Sequence, residues 1–288
     1  LAKAGGVGAN DYPHYKVEVY KNGVYGITGR ELADAGADIT QINPNTITLS
    51  NRGEHIPILV LGKGDGTLNY NDRIVFIGEH NRGDYSYNSY YSDTNVYMLS
   101  WGQSNAQRFA KVLCMPEGTE TDTLNASGTM LHLEQDVQYR RLVGYADPTQ
   151  DHWFWQRFED GASYDIDVSL PAVNNAFPVT VRAGFYGVTS SSEAEIDHHV
   201  VLHLGGKRLG DAYADGMVPF QYKSPETIIP DLTDTSIVRF EMPGDLDVPA
   251  DHVYFNWVAV DYTQNHTARN GFLKLDLPNT DQVIQAKG

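Results

Sequence analysis

A mainly β protein in two parts, a small β-rich domain with one short helix followed by a two-sheet β-sandwich, is predicted by three features of the 288-residue sequence. Several segments alternate apolar and polar residues with the period of two that lays one strand face on a core. Turn-forming Gly, Asn and Asp recur between those segments. Only one segment carries a clear helix start and stop.

Lys16–Tyr20 and Val24–Thr28 flank Lys21-Asn22-Gly23, and Asn-Gly predicts a hairpin because both residues tolerate positive φ. Thr28-Gly29-Arg30-Glu31 fits a capping box, in which Thr28 accepts from the Glu31 amide and Glu31 reaches back. The helix then runs to about Ala35, and Gly36 ends it in the left-handed region. Strands follow at Thr46–Ser50, Ile56–Leu61 and Arg73–Gly78, and residues 79–95 read as a polar, tyrosine-rich loop. These elements form a first domain over residues 12–116. The charged, Thr-rich passage Glu117–Asn125 reads as a hinge.

The second domain, residues 126–288, alternates more plainly. Tyr164, Ile166 and Val168 share one side and Asp165 and Asp167 the other. Val179, Val181, Ala183 and Phe185 alternate with Thr180 and Arg182, and Val238, Phe240 and Met242 with Arg239 and Glu241. Val253–Tyr262 is apolar at most positions on both faces, as a central strand requires. Such strands, separated by turns, predict two packed sheets.

Composition bounds the function. A formal charge of −16 repels nucleic acid and anionic membrane surfaces. No run of eighteen apolar residues is present to span a membrane as a helix. The first residue is Leu, which fits a processed N-terminus whose signal peptide is gone. A single cysteine, Cys114, allows no internal disulfide, so stability must come from core burial or bound ions; this suits a bacterial secreted or cell-surface protein.

Cys114 sits in the apolar run KVLCMPEG with no histidine beside it, the setting of a buried structural cysteine rather than a nucleophile. Gly62–Asp72 resembles an EF-hand loop at Asp65, Gly66, Asn69 and Asp72, but Leu61 and Lys63 occupy ligand positions, and a turn is the simpler reading. On a strand His199 and His203 share a face about 13 Å apart, too far for one metal. With His198 on the other face, the three read as surface or edge residues.

The succession YKVEVYKNGVYGITGRELADAG, NPNTITLSNRGEHIPILVLG, DGTLNYNDRIVFIGE and SDTNVYMLSWG resembles the non-catalytic region preceding the protease domain of gingipain-like secreted cysteine peptidases and type IX secretion sortases. Its most specific pieces are Asn51–Gly53, the turn Asp65–Asp72, and Thr94-Asn95-Val96-Tyr97 with Trp101-Gly102. The later strings DHWFWQRF, HHVVLHLGGKRLGD and VYFNWVAVDY are similar to the β-domain that follows in those proteins. The resemblance implies a jelly-roll-like sandwich, an active site elsewhere, and a downstream protease domain as partner. The His-Gly and Cys motifs of the catalytic domain are not in this sequence, so the chain itself is expected not to be an enzyme.

In jelly-roll binding modules the first and last strands are neighbours, and their acidic residues often hold a structural calcium. Glu134 and Asp136 on the first strand and Asp261 on the last are the candidates here. Three carboxylates are equally what the solvated surface of an acidic chain carries. Trp153 and Trp155, two positions apart on an extended chain, would face one way and offer a flat platform for a glycan; buried, they are core anchors. Tyr213 and Asp215 in the turn-rich GDAYADG are a second ligand-binding candidate. The leading expectation is an accessory region that supports or positions a protease domain, with an exposed apolar patch where that domain docks. The alternative is a carbohydrate-binding or adhesion sandwich, and a stand-alone polysaccharide lyase is a remote third.

Overall fold

The structure, a computed structural model, describes residues 1–4, 14–84, 86–102, 106–109, 123–141, 151–268, 273 and 283–284. Cys114 and hinge residues 117–122 lie outside the described residues. The chain is mainly β, with one short α-helix and three single 3₁₀ turns among the described residues, and divides into two compact units, Leu1–Cys114 and Met115–Gly288.

In the first unit, strands β1 (Ala2–Ala4), β2 (His14–Val19), β3 (Gly23–Thr28), β4 (Thr48–Asn51), β5 (Glu54–Ile56), β6 (Leu59–Leu61), β7 (Arg73–Gly78) and β8 (Asn95–Ser100) form two sheets. One runs β1-β2-β8-β4-β5 and the other β3-β7-β6. Their facing apolar residues, among them Tyr15, Val19, Leu49 and Leu99 from the first and Ile27, Val60, Ile74 and Phe76 from the second, share one core. Two expectations change here. The segments around Asn22-Gly23 are strands but not a hairpin: β2 pairs with β8 and β3 with β7. The turn is instead held locally, with Tyr25 donating to Lys21 O at 2.7 Å and His80 N to Asn22 Oδ1 at 2.9 Å. The chain thereby crosses from one sheet to the other. Pro57, which has no amide to donate, divides the strand expected over Ile56–Leu61 at a second crossing between β5 and β6.

Helix α1 (Gly29–Asp34) has the capping box read from sequence: Glu31 N donates to Thr28 Oγ1 at 3.2 Å, and Thr28 N to Glu31 Oε2 at 2.7 Å. The backbone and hydroxyl donors of Thr28 hold the Glu31 carboxyl below its usual value of 4.5. A depressed acid contributes stability that is fully present above its ordinary pKa and is lost as pH falls through the depressed one. Thr28→Ala should therefore cost about 1 kcal/mol at pH 7, and that cost should shrink in urea titrations run below pH 4.5. A cost independent of pH would contradict the Glu31 half of the box.

The loop Gly62–Asp72 closes on itself. Asp65 accepts from Thr67 N and from Asn69 Nδ2, and Asp72 from Asn69 N at 2.9 Å, so these carboxylates cap the loop's own amides.

The second unit contains β9 (Thr123–Leu124), β10 (Ala126–Glu134), β11 (Gln138–Tyr139), β12 (Trp153–Phe154), β13 (Gln156–Glu159), β14 (Ser163–Ser169), β15 (Thr180–Gly187), β16 (His198–Leu204), β17 (Lys207–Ala214), β18 (Pro219–Lys223), β19 (Thr235–Glu241), β20 (His252–Asn265) and β21 (Val283–Ile284). One antiparallel sheet runs β10-β20-β15-β18, with β13 also on β20; the other runs β14-β19-β16-β17. Apolar residues of both sheets, including Phe158, Val181, Phe185, Val200, Leu202, Phe240 and Phe255, interdigitate in a single core. This is a β-sandwich, and from β13 to β20 the chain passes repeatedly between the two sheets. As expected, β20 is central, paired on both edges and buried at seven of the ten positions from Val253 to Tyr262. Burial pushes the hydroxyl of its Tyr262 up to about 12, helped by the charge of Asp234, so the ring stays neutral.

Candidate metal centre

The edge of β20 changes partner part-way along. β10 pairs with it from Asn265 to Trp257, where Glu134 sits opposite Trp257; β13 takes over at Phe255, opposite Gln156. Asn256 falls in the gap. It is also the extra residue of a bulge against β15, since Gly184 pairs with Trp257 and Phe185 with Phe255. A bulge twists the strand and re-aims a side chain. Here the Asn256 amide reaches Asp151, donating to Oδ2 at 3.1 Å.

The chain that leaves β10 and returns to β13 brings two more acids to this junction. Asp151 Oδ1 accepts from Trp153 N at 2.9 Å, which fixes the carboxylate at the entry to β12. Glu134, Asp136 and Asp151 are half-buried, and one ligand oxygen from each lies within 4.8 Å of the others. Glu134 also meets His132 Nε2 at 2.8 Å. Three carboxylates this close repel one another when ionised, and a cation removes that repulsion. The donors are hard oxygens, the set that suits Ca²⁺ or Mg²⁺ rather than a thiolate-loving metal. The cluster could hold a metal ion.

Asp261 is not part of it, which corrects the ligand set read from sequence. It lies opposite Met130, four positions along β10 from Glu134, about 13 Å by strand rise. Its carboxylate instead takes a two-pronged bond from Arg182, with Nε and Nη2 each at 2.9 Å. None of the three clustered acids lies on β20, so the adjacency of first and last strands does not assemble the cluster; Asp151, just before β12, completes it.

The glycan candidates separate. Trp153 is half-buried against Tyr139, ring centroids 5.4 Å apart. Trp155 packs on the main core beside Phe255 at 5.3 Å, its amide donating to Phe255 O at 2.9 Å. A bend between β12 and β13 gives the two rings different neighbours, so they form no joint platform. Tyr213, 51% exposed, stacks on His199 at 4.3 Å, and Asp215 is exposed in the following turn; both belong to the opposite sheet from the acidic cluster.

The reading of the histidines as surface residues is overturned. His198 and His199 are 0% and 5% exposed. His198 Nδ1 lies 2.7 Å from Asp251 Oδ1 and Nε2 3.2 Å from Gly216 O. His199 Nδ1 lies 2.7 Å from Asp245 Oδ1 and Nε2 2.9 Å from Asp211 Oδ1. The Gly216 carbonyl can only accept, so His198 Nε2 donates to it, and each of the other three ring nitrogens faces a carboxylate oxygen. The second oxygen of Asp251 accepts from His199 N, so one carboxylate binds both residues. The available signal was the run GDLDVPAD, dense in acids immediately before a central strand. His203 is half-buried, with Nε2 3.3 Å from Glu241.

No family model matches the sequence, and no curated protein matches it. Among solved structures, dimeric latent PorU from Porphyromonas gingivalis is similar in fold, with a TM-score of 0.64 at 13% identity over 91% of this chain. The chain spans 25% of the length of that PorU chain. A CBM36-1 domain of a multidomain xylanase from the hindgut metagenome of Trinervitermes trinervoides aligns with 46% of this chain and 96% of its own, at a TM-score of 0.32 and 10% identity. Among the described residues no helix is long and apolar enough to cross a membrane.

Proposed function

We propose that this chain is a non-catalytic accessory region of a secreted or cell-surface bacterial peptidase of the gingipain-like kind, and that it supports a further domain of the same protein. The observation that carries the reading is an apolar sheet face in the first unit. Val24 on β3 pairs with Ile77 on β7, and Val75 on β7 pairs with Leu59 on β6; Leu61, two positions further along β6, faces the same side as Leu59. Val24, Ile77, Leu59 and Leu61 are 58%, 56%, 45% and 47% exposed, while the alternate residues Ile27, Phe76, Ile74 and Val60 fill the core. A contiguous patch of branched aliphatic side chains on a soluble sheet marks a contact surface. The likeness to PorU supports the same reading, since most of PorU lies outside the aligned portion.

The reading is tested by placing a photo-crosslinking residue at Ile77 in the full natural protein. Crosslinks to a segment of the same polypeptide outside these 288 residues are expected; crosslinks confined to this chain would sink it. In the same reading the recombinant chain hydrolyses no peptide substrate.

The cation of the acidic cluster is proposed to be calcium, a structural ion that joins the end of β10 to the returning loop. At calcium a hundredfold above its Kd, unfolding should become about 2.7 kcal/mol harder, a rise of roughly 5–10 °C for a unit of this size. Asp151→Asn, which keeps the Trp153 cap oxygen, should abolish most of that rise. An unchanged midpoint in calcium, relative to EDTA, would remove the ion from the account.

A further inference from the structure

The outer face of the five-stranded sheet carries an arrangement that neither the core nor the acidic cluster explains. Strand register sets it out in rows. His132, Ala259, Arg182 and Lys223 lie across β10, β20, β15 and β18, and Glu134, Trp257, Gly184 and Gln221 form the next row. The middle of both rows is small, and Trp257 fills the space over Gly184. A Cβ at Gly184 would meet Nε1 of the indole, with Cε2 at 2.7 Å and Cδ1 at 3.0 Å. Both neighbours of Nε1 lie only slightly farther from that Cβ than Nε1 itself, which places the glycine over the ring's face rather than off its edge. The indole therefore lies flat on the sheet, half-buried, with its other face turned away from the strands. The His132 ring is nearly parallel to it, inclined 25° with centroids 5.5 Å apart.

Further polar groups stand on the same sheet face, Arg182 one row from the ring and Asp261 two rows from it. The Arg182–Asp261 pair is held two-pronged at 2.9 Å, with side chains 34% and 41% exposed. Arg182 spends Nε and Nη2 on that bond, which leaves Nη1 as a donor beside the carboxylate's spare lone pairs. Gln221 and Lys223 are exposed on the neighbouring strand. One row further on, a depression of about 460 Å³ opens at Asp261, lined also by Met130, Thr180 and Glu226.

We infer that this face binds a neutral pyranoside with equatorial hydroxyls. Such a ring presents a patch of axial C–H groups that packs on an aromatic face, while its hydroxyls need paired donors and acceptors at the rim. Trp257 supplies the platform for one residue of an oligosaccharide, and the Arg182–Asp261 pair, up to two rows or about 13 Å along the strand, gives the next residue a donor beside an acceptor, which is what two adjacent hydroxyls require. Arg182 is neutralised by Asp261 and the chain carries a formal charge of −16, so the face favours an uncharged sugar over an anionic one. The depression beyond Asp261 leaves room for more than one residue of an oligosaccharide. The inference is independent of the docking role proposed above.

Calorimetric titration of the whole chain with cellohexaose, xylohexaose and laminarihexaose tests it, with a heparin-derived hexasaccharide as the charged comparison. At least one neutral oligosaccharide should bind with a Kd of about 1 mM or tighter. Trp257→Ala should weaken that binding at least tenfold. Gly184→Ala, which keeps the tryptophan but lifts its ring, should do the same, and Gln221→Ala, at an exposed position, should cost several-fold. Trp153→Phe should change it less than twofold. No binding by a chain that still unfolds cooperatively, binding insensitive to Trp257→Ala, or a preference for the heparin fragment would each overturn the inference.

Discussion

Asp251→Ala is expected to lower the stability of the second unit by about 3–5 kcal/mol, because it strips a buried ionic network of the group that holds it. Asp251 is 2% exposed and accepts from both the His198 ring and the His199 backbone. Without it the fully buried His198 keeps a ring nitrogen with nothing to receive its proton, and the His199 amide loses its acceptor. For a unit of this size the thermal midpoint should fall by roughly 10 °C or more. The double variant His198→Leu/Asp251→Ala should be more stable than the single one, since it removes the stranded imidazole as well and leaves apolar volume in its place. Equal losses from single and double variants would mean that the His199 amide, not the His198 ring, is what Asp251 serves. A loss under about 0.5 kcal/mol, the size of an ordinary surface change, would show that the network contributes nothing.

Phe158→Ala should be comparably severe. The ring is 0% exposed and stacks on Tyr164 at 4.1 Å and Phe255 at 5.1 Å, with Phe240 tilted against it at 5.5 Å. It thus touches both sheets of the sandwich from one edge strand. Truncating a buried phenylalanine costs about 3–5 kcal/mol through lost transfer energy and the cavity left behind. Chemical unfolding should show the loss in the second unit's transition while that of the first unit stays in place. If both transitions move together, the two units do not unfold independently.

The parts of the fold legible in the sequence are those governed by local rules. The capping box at Thr28 and Glu31 and the alternation in β14 and β19 depend on neighbours a few residues away, and the structure has them where the sequence implies; β15, flanked by strands on both sides, is buried on both faces instead. The Asn22-Gly23 turn misleads because a local preference cannot say which sheet the next strand joins. For the site, the sequence offers Glu134 at the end of β10 and Asp136 just beyond it, but not Asp151, which is 15 residues further along the chain from Asp136 and joins them only in the folded structure. Trp257 escapes notice for a related reason. In the apolar run of β20 it reads as one more core residue, and only a bulge at Asn256 and a glycine on the neighbouring strand turn it outward. His198 and His199 are hidden likewise, since their partners lie 46 or more residues away at Asp245 and Asp251.

The position of β20 has a consequence for how the protein comes off the ribosome. β20 is the strand on which β10, β13 and β15 all pair, and it is the last long strand of the sandwich. The sheet of β10, β13, β15 and β18 must wait for residues 252–265 before it has a centre. Pairings so distant in sequence form slowly, and synthesis proceeds from the N-terminus at about 5–20 residues per second. The first unit can therefore close while the second is still an open chain. A nascent polypeptide that stops short of β20 should expose its apolar strands to chaperones and proteases, and to whatever machinery handles unfolded chains, for many seconds longer than its first half does.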